Sequence, residues 1–122
     1  MKILICEDDP TALKSLMITL EQEGYEIVTT SNGDTAKEIL KSDFIDILIT
    51  DLYLPGSDGL NIIKFTRDKL HKDIPIILLT IEGNEQVVLQ AFHNGADDYI
   101  VKPFNPDELC LRLKKVIIRN KK

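Results

Sequence analysis

The sequence contains little cysteine, proline or glycine, and this scarcity excludes several classes of protein. Among 122 residues there are two cysteines, five prolines and six glycines. So few prolines and glycines, beside 43% apolar and 29% charged residues, exclude collagen-like and disordered chains. The cysteines, Cys6 and Cys110, lie inside short apolar runs, where free cysteine commonly serves as a small core residue. The composition indicates a folded globular protein whose core needs no disulfide.

The sequence also lacks long apolar runs and an excess of positive charge. No run approaches the length that crosses a bilayer, and no basic segment with an apolar stretch and cleavage site opens the chain. We therefore expect a cytoplasmic protein without a membrane partner. The formal net charge of -5 disfavours direct binding of nucleic acid, which depends on an excess of lysine and arginine. The length predicts a single domain over residues 1–122.

Short apolar runs rich in β-branched residues alternate along the chain with segments of helical periodicity. The runs predict five β-strands, at Ile3–Cys6, Tyr25–Thr29, Ile45–Thr50, Pro75–Thr80 and Tyr99–Val101. The apolar spacing that follows each strand predicts five helices. Because strict alternation requires crossover connections, the sheet should be parallel with helices on both faces. The fold class is a doubly wound α/β sandwich.

Polar residues that could carry chemistry follow four of the five predicted strands. They are Glu7, Asp8 and Asp9 after the first strand, Asp51 after the third, Thr80 after the fourth and Lys102 after the fifth. In open parallel sheets, ligands bind at the carboxyl ends of the strands, near the point where the strand order reverses. These side chains therefore meet in one cleft if the first and third strands are neighbours.

Three of these carboxylates, Glu7, Asp8 and Asp51, would raise one another's pKa values unless a cation neutralised them. The ligands would all be oxygens, without histidine or cysteine, which suits Mg²⁺ or Mn²⁺, and Mg²⁺ commonly binds together with phosphate. Lys102 could meet one phosphoryl oxygen with its charge, and the Thr80 hydroxyl another. This set predicts phosphoryl transfer with Asp51 as the nucleophile.

Two other classes of protein could share this architecture. A flavin-binding module would place a phosphate in the first loop, but Glu7, Asp8 and Asp9 would repel it. An aspartyl phosphatase that acts on small molecules would have a second aspartate two residues after its nucleophile as the general acid. Tyr53 stands there instead, which disfavours this reading.

Four segments together resemble the receiver domains of two-component response regulators. They are Leu4–Asp9, Asp51–Gly59, Leu78–Thr80, and Gly95–Tyr99 with Lys102–Phe104. Each segment alone is weak evidence, but their order and separations all fit the family pattern, and the resemblance covers the whole chain. It implies a flavodoxin-like sheet with strand order 2-1-3-4-5 and five helices.

The resemblance also implies the roles of the acidic residues. Asp51 would accept a phosphoryl group from the phosphohistidine of a sensor histidine kinase or phosphotransfer protein. Asp8 and Asp51 would bind Mg²⁺ directly, Glu7 would act through water, and the Tyr53 backbone carbonyl would complete the protein ligands. Asp9 is interpreted as a helix N-cap. The domain would catalyse only its own phosphoryl transfer and dephosphorylation, so we do not expect an enzyme that turns over other substrates.

In the family, the residues corresponding to Thr80 and Tyr99 form the switch. The hydroxyl moves toward the phosphoryl group and the aromatic ring turns inward, which alters the face made by helix four, strand five and helix five. The bond between Lys102 and Pro103 is implied to be cis. Tyr99 could instead be an ordinary edge-strand aromatic.

Ile81 stands where this family usually has a small residue, and its stiff β-branched side chain should narrow the mouth of the site. We expect slow hydrolysis of the acyl phosphate and poor phosphorylation by small donors. Tyr53 and Glu82 are predicted to be further modulators of the phosphoryl lifetime.

The segments around Gly95–Tyr99 and Lys102–Leu109 resemble the branch whose receivers precede a winged-helix DNA-binding domain. That branch controls transcription and dimerises through its fourth and fifth helices, so an attached or partner output domain and a homodimer are expected. The residues matching its charged dimer positions are Asp97, Asp98, Glu108, Arg112 and Arg119, although Val88 replaces a usual basic residue. Solvated surface charge is an equally good explanation of these residues. The alternative function is a docking or dimerisation module that works without phosphorylation.

Overall fold

A computed structural model describes residues 1–81 and 84–120 of the chain. Within these ranges the strands are β1 (Lys2–Cys6), β2 (Glu26–Thr30), β3 (Ile47–Asp51), β4 (Ile76–Ile81) and β5 (Asp98–Lys102). The helices are α1 (Pro10–Gln22), α2 (Gly33–Ser42), α3 (Gly59–Lys64), α4 (Glu85–Asn94) and α5 (Pro106–Asn120), and a π-helical segment, Phe65–Lys69, continues α3. None of the helices in the described part of the chain has the length and apolar character to cross a membrane.

The strands pair in parallel and form one sheet in the order β2-β1-β3-β4-β5. The predicted fold class and strand order are confirmed. The order reverses between β1 and β3, because the chain adds β2 on one side of β1 and the later strands on the other. The cleft at the carboxyl ends of β1 and β3 is thus the expected ligand position for such a sheet.

Two hydrophobic layers cover the faces of the sheet. Successive residues of a strand point to opposite faces, so that Leu4 and Leu48 pack on the side of α2 and α3, whereas Ile5 and Ile49 pack on the side of α1 and α5. The central strands are buried on both faces, which explains their continuous apolar runs. The layers hold the carboxyl ends of the strands in fixed register.

The two cysteines differ in their burial. Cys6 lies fully buried in the layer beside α2, as predicted, and its burial raises the thiol pKa to about 12. Cys110 is only partly buried, because it stands next to the buried Leu109 on the flank of α5 rather than on its inner stripe. Its prediction as a core residue is therefore only partly correct.

Strand boundaries differ from the predicted ones by one or two residues, for local reasons. Tyr25 was expected to open the second strand, but its backbone N–H donates to the Leu20 carbonyl at 3.2 Å and so still belongs to the end of α1. Ile45 was expected to open the third strand. The Asp46 carboxylate there accepts a hydrogen bond from the Lys2 backbone N–H at 2.7 Å, and regular pairing starts at Ile47.

Candidate functional site

The three predicted carboxylates meet at the carboxyl edge of the sheet. Glu7 and Asp8 directly follow β1, and Asp51 ends the neighbouring strand β3. One carboxylate oxygen from each residue lies within 4.8 Å of the others. Glu7 is fully buried, Asp51 is partly buried and Asp8 is exposed. The cluster thus combines a buried anionic floor with an open side through which a ligand could enter.

Lys102 reaches this cluster from β5. Its Nζ lies 3.0 Å from Asp51 Oδ2 and 2.5 Å from Glu7 Oε1. Burial lowers the pKa of Lys102, but the two carboxylates outweigh that effect and hold the pKa above its ordinary value. The peptide bond between Lys102 and Pro103 is cis, as predicted. The lysine is therefore a charged ammonium group beside Asp51, the predicted nucleophile.

Glu7 is the fully buried member of the cluster. Its Oε2 accepts a hydrogen bond from the Asp9 backbone N–H at 3.1 Å. Its Oε1 is buried and accepts no hydrogen bond of normal geometry from a described residue, despite the nearby Lys102 ammonium. Burial raises the pKa of Glu7, and neither Lys102 nor the Asp9 N–H fully reverses the effect. A buried oxygen of this kind is suited to a cation or a cation-bound water.

The donor set fits a hard divalent cation. Glu7, Asp8 and Asp51 offer only oxygens, and Mg²⁺ typically takes one or two carboxylates while it keeps several waters. Asp9 does not belong to this set, because its carboxylate accepts from the Thr11 backbone N–H at 3.2 Å and caps α1. The interpretation of Asp9 as an N-cap is confirmed.

The Asp51 carboxylate is oriented by its own backbone surroundings. Its Oδ1 accepts from the Leu52 N–H at 2.9 Å, which leaves Oδ2 facing Lys102. Gly59 lies against the same stretch of chain, and a Cβ at this position would be 2.3 Å from the Asp51 carbonyl oxygen. A larger residue than glycine would push the backbone of Asp51 out of place.

The loop of residues 52–58 is fixed to the start of α2. The Gly33 N–H donates to the Pro55 carbonyl at 2.9 Å, and the Ser57 hydroxyl donates to Asp34 Oδ1 at 2.6 Å. Tyr53 lies in the same loop with an exposed side chain. The contact between these two segments was not predicted, since nothing local in the sequence shows that they touch.

Thr80 lies at the end of β4 with a buried side chain. Among the described residues its Oγ1 makes only two long contacts, since Asn84 Nδ2 and the Ile81 carbonyl oxygen both lie 3.4 Å away. The hydroxyl could therefore exchange these contacts for a stronger acceptor. Ile81 follows at the rim with 60% of its surface exposed, whereas the predicted modulator Glu82 lies outside the described residues. Asn84 was not predicted, since a single asparagine after a strand looks like an ordinary turn residue.

Tyr99 is linked to Thr80 by a groove between α4 and β5 with a volume of about 520 Å³. The Tyr99 ring is half-buried and meets the Phe92 ring edge to face, with centroids 6.1 Å apart. On the side of α5, the Arg112 guanidinium carbon lies 5.7 Å from the Tyr99 ring centroid. The predicted switch pair thus lines one groove, at the face formed by α4, β5 and α5.

Several charged residues of that face are already paired within the chain. Arg112 Nη1 lies 2.8 Å from Asp98 Oδ1, and Arg67 Nη2 lies 3.0 Å from Asp97 Oδ2. Arg67 also donates to the carbonyls of Gly95, Lys72 and Ile74. These pairs join β5 to α5 and the π-helical segment to the end of α4.

Comparison with known proteins gives a consistent result for sequence and fold. Residues 3–114 match the family model described as the response regulator receiver domain. The chain is 38% identical to the phosphate regulon transcriptional regulatory protein PhoB of Klebsiella pneumoniae, over 97% of this chain and 52% of that protein. It is 41% identical to the transcriptional regulatory protein SrrA of Staphylococcus aureus, over 97% of this chain and 48% of that protein. The chain therefore spans about half the length of these curated relatives.

Solved structures show the same similarity. A response regulator from Chloroflexus aurantiacus has a TM-score of 0.91 and 36% identity, with 96% of this chain and 97% of that chain covered. The receiver domain of the sensor histidine kinase PA1611 from Pseudomonas aeruginosa has a TM-score of 0.85 and 27% identity, with 95% and 96% covered. The latter structure holds a magnesium ion coordinated in the active-site cleft.

Proposed function

The chain belongs to the response regulator receiver family, and on this premise we propose that it is a signalling switch that accepts a phosphoryl group on Asp51 in a Mg²⁺-dependent step. The arrangement that supports the proposal is Asp51 between two further carboxylates and the Lys102 ammonium. Such a set provides what phosphoryl transfer needs, namely positioning and neutralisation of charge.

The donor is a phosphohistidine of a sensor histidine kinase or phosphotransfer protein. An Asp51 carboxylate oxygen attacks the phosphorus, the bond from phosphorus to the imidazole nitrogen breaks, and an acyl phosphate forms. The leaving imidazole takes up a proton. Lys102, which now contacts Asp51, is placed to pair with a phosphoryl oxygen, and the loosely held Thr80 hydroxyl can donate to another.

Glu7, Asp8, Asp51 and the Tyr53 backbone carbonyl are the proposed ligands of Mg²⁺, which when bound neutralises charge on the phosphoryl oxygens. The fit rests on the oxygen-only donor set and on the buried Glu7 Oε1, which accepts no hydrogen bond of normal geometry from a described residue. The magnesium ion in the cleft of the PA1611 receiver domain supports this assignment. Mn²⁺ has the same preference for oxygen ligands and could replace Mg²⁺.

The output is control of transcription, through a domain attached to this one or through a partner. PhoB and SrrA are named as transcriptional regulatory proteins, and this chain corresponds to about half of each. Phosphorylation would draw the Thr80 hydroxyl toward the phosphoryl group and let Tyr99 turn into the groove between them. The face of α4, β5 and α5 would change shape and could then form a homodimer.

Binding of a phosphoryl mimic tests this function without the need for the cognate kinase. With Mg²⁺ and beryllium fluoride, the backbone amide signals of Thr80 and Tyr99 should shift in the native chain and stay unchanged in Asp51→Asn. Asp58→Asn is the matched control, because Asp58 is an exposed N-cap of α3 and asparagine caps equally well. Absence of any shift in the native chain would favour the docking module that works without phosphorylation.

A further inference from the structure

The Tyr99 ring is held by two elements at once. Phe92 of α4 contacts it edge to face at a centroid distance of 6.1 Å and an interplanar angle of 81°. Arg112 of α5 places its guanidinium carbon 5.7 Å from the ring centroid, within the range of a cation–π interaction. No hydrogen bond joins the Tyr99 hydroxyl to another residue in the described part of the chain. The orientation of the ring therefore depends on Phe92, on Arg112 and on the packing of the ring against the hydrophobic layer beside α2 and α3.

Arg112 is itself held in place over the ring by Asp98. Its Nη1 donates to Asp98 Oδ1 at 2.8 Å, and the same oxygen accepts the backbone N–H of Tyr99 at 2.8 Å. The Asp98 side chain is only 10% exposed, and its Oδ2 is buried without a hydrogen-bond partner among the described residues. The ion pair thus favours the present position of the Arg112 side chain, because movement of the guanidinium away from Asp98 would leave a buried carboxylate without its cation.

We propose that Arg112 is a positioning residue that holds the Tyr99 ring in its present orientation and so opposes movement of the ring toward Thr80. The inference rests on the proposed switch function. It identifies Arg112 as a residue that determines how readily the ring moves on phosphorylation. The groove between Thr80 and Tyr99 has room for the ring. To move into the groove, the ring must give up its contact with Arg112. The free energy of that contact therefore adds directly to the free-energy difference between the present and the inward orientation of the ring.

Arg112→Gln is the test variant, because glutamine can still donate a hydrogen bond to Asp98 but carries no charge to place over the ring. Lys115→Gln is the matched control: Lys115 lies on the same helix, is exposed and forms no ion pair with a described residue. Arg112→Lys keeps the charge for Asp98 but removes the planar group from the ring, and guards against a folding defect in the first variant.

The first readout is the rotamer of Tyr99 in the free protein, without Mg²⁺ or mimic, from side-chain coupling constants and ring proton shifts. Arg112→Gln should show a second Tyr99 rotamer, Arg112→Lys a smaller amount of it, and Lys115→Gln the native pattern. An unchanged Tyr99 rotamer in both Arg112 variants would overturn the proposal. This readout needs no phosphoryl chemistry, so it decides the role of Arg112 even if the native chain binds no mimic, a result that would count against the proposed function alone.

The second readout is the concentration of beryllium fluoride that half-saturates the protein in excess Mg²⁺. Loss of the cation–π contact should lower this half-saturating concentration by about 2- to 30-fold in Arg112→Gln. The lower figure corresponds to an exposed cation–π interaction and the higher figure to a desolvated one. The same substitution in a Tyr99→Leu background should have no effect, because no ring remains to be held. Equal effects in both backgrounds, or an equal effect of Lys115→Gln, would show that Arg112 acts through charge alone and would refute the proposal.

Discussion

For Glu7, burial and the proposed metal binding have opposite effects on the stability of the charged side chain. It is fully buried, and burial raises its pKa above the ordinary value of 4.5. A carboxyl group whose pKa is raised by folding contributes most stability below its ordinary pKa and loses that contribution as the pH rises through the raised value. Above the ordinary pKa, and so at neutral pH, the burial of this carboxyl group lowers the stability of the metal-free protein, and a bound cation would remove this cost.

The first prediction is that Glu7→Gln stabilises the protein in Mg²⁺-free buffer at pH 7. We expect a melting temperature higher by about 2–8 °C, which corresponds to about 1 kcal/mol in a domain of this size. The difference should shrink as the pH falls below 4.5, where the native carboxyl group is also neutral. Calorimetry over this pH range measures the difference in melting temperature, and Glu21→Gln, at an exposed position on α1, is the control. A lower melting temperature of Glu7→Gln at pH 7 would contradict the account.

The second prediction concerns Ile81, whose side chain is 60% exposed next to Thr80 at the rim of the site. Ile81→Ala should speed both phosphorylation by acetyl phosphate and hydrolysis of the acyl phosphate, because small molecules and water gain access. A barrier change of about 1 kcal/mol corresponds to about a five-fold increase. Rates from phosphate release, compared with those of Ile118→Ala at an exposed position on α5, test this prediction. Unchanged rates would show that Ile81 does not limit access.

At the scale of residues, sequence reasoning identified the groups that sit at strand ends and missed those that act across loops. Asp51 and Lys102 could be predicted because the end of a parallel strand is a defined position in the fold. Asn84 beside Thr80 and Arg112 beside Tyr99 could not, since their roles depend on the distance between separate elements. The metal and phosphoryl roles of the acidic residues stay predictions.

At the scale of elements, the contact that positions the loop of residues 52–58 is its contact with the start of α2. A Cβ on Gly33 would lie 1.7 Å from the Ser57 carbonyl oxygen, so the two backbones touch with no room for a side chain. This loop carries Tyr53, whose carbonyl is a proposed metal ligand. Periodicity predicted a helix after the second strand but not its contact with this loop, because amphipathic patterns describe one element at a time.

The third prediction follows from this contact. Gly33→Ala should lower stability by about 1–3 kcal/mol or more, because the backbone must shift to relieve the overlap, and it should weaken Mg²⁺ binding. Gly24→Ala is the control: Gly24 has φ +90° but no atom within 4 Å of an added Cβ, so the strain should cost about 1–2 kcal/mol and leave Mg²⁺ affinity unchanged. Urea unfolding and calorimetric Mg²⁺ titration measure both; equal Mg²⁺ affinity of the two variants would contradict the proposed role of the loop.

At the scale of the whole molecule, the strand order places the carboxylates together and leaves the face of α4, β5 and α5 on the far edge of the sheet. The alternation of strands and helices predicted the parallel sheet, but the residues alone left open whether β1 and β3 are neighbours, and the order came from the family resemblance. On that face, Asp97 and Asp98 already have intrachain partners, Arg67 and Arg112.

The fourth prediction is that the native chain is a monomer alone and a dimer with Mg²⁺ and beryllium fluoride. Val88→Lys, which restores the basic residue usual at this position, should strengthen the dimer by about two- to five-fold, the range of one exposed ion pair. Sedimentation equilibrium measures the dissociation constants, with Ser15→Lys on α1 as the control for added charge. A monomer under both conditions would contradict dimerisation through this face.

The central claim is that Asp51 takes up a phosphoryl group and needs Mg²⁺ to do so. The most direct test is the intact mass of the chain after incubation with a phosphohistidine-bearing histidine kinase, with Mg²⁺ or with a chelator, for the native protein, Asp51→Asn and Asp58→Asn. The account predicts a gain of one phosphoryl group in the native protein and in Asp58→Asn, only with Mg²⁺, and none in Asp51→Asn. A gain that persists in Asp51→Asn or under chelation, or no gain with several active kinases, would contradict it.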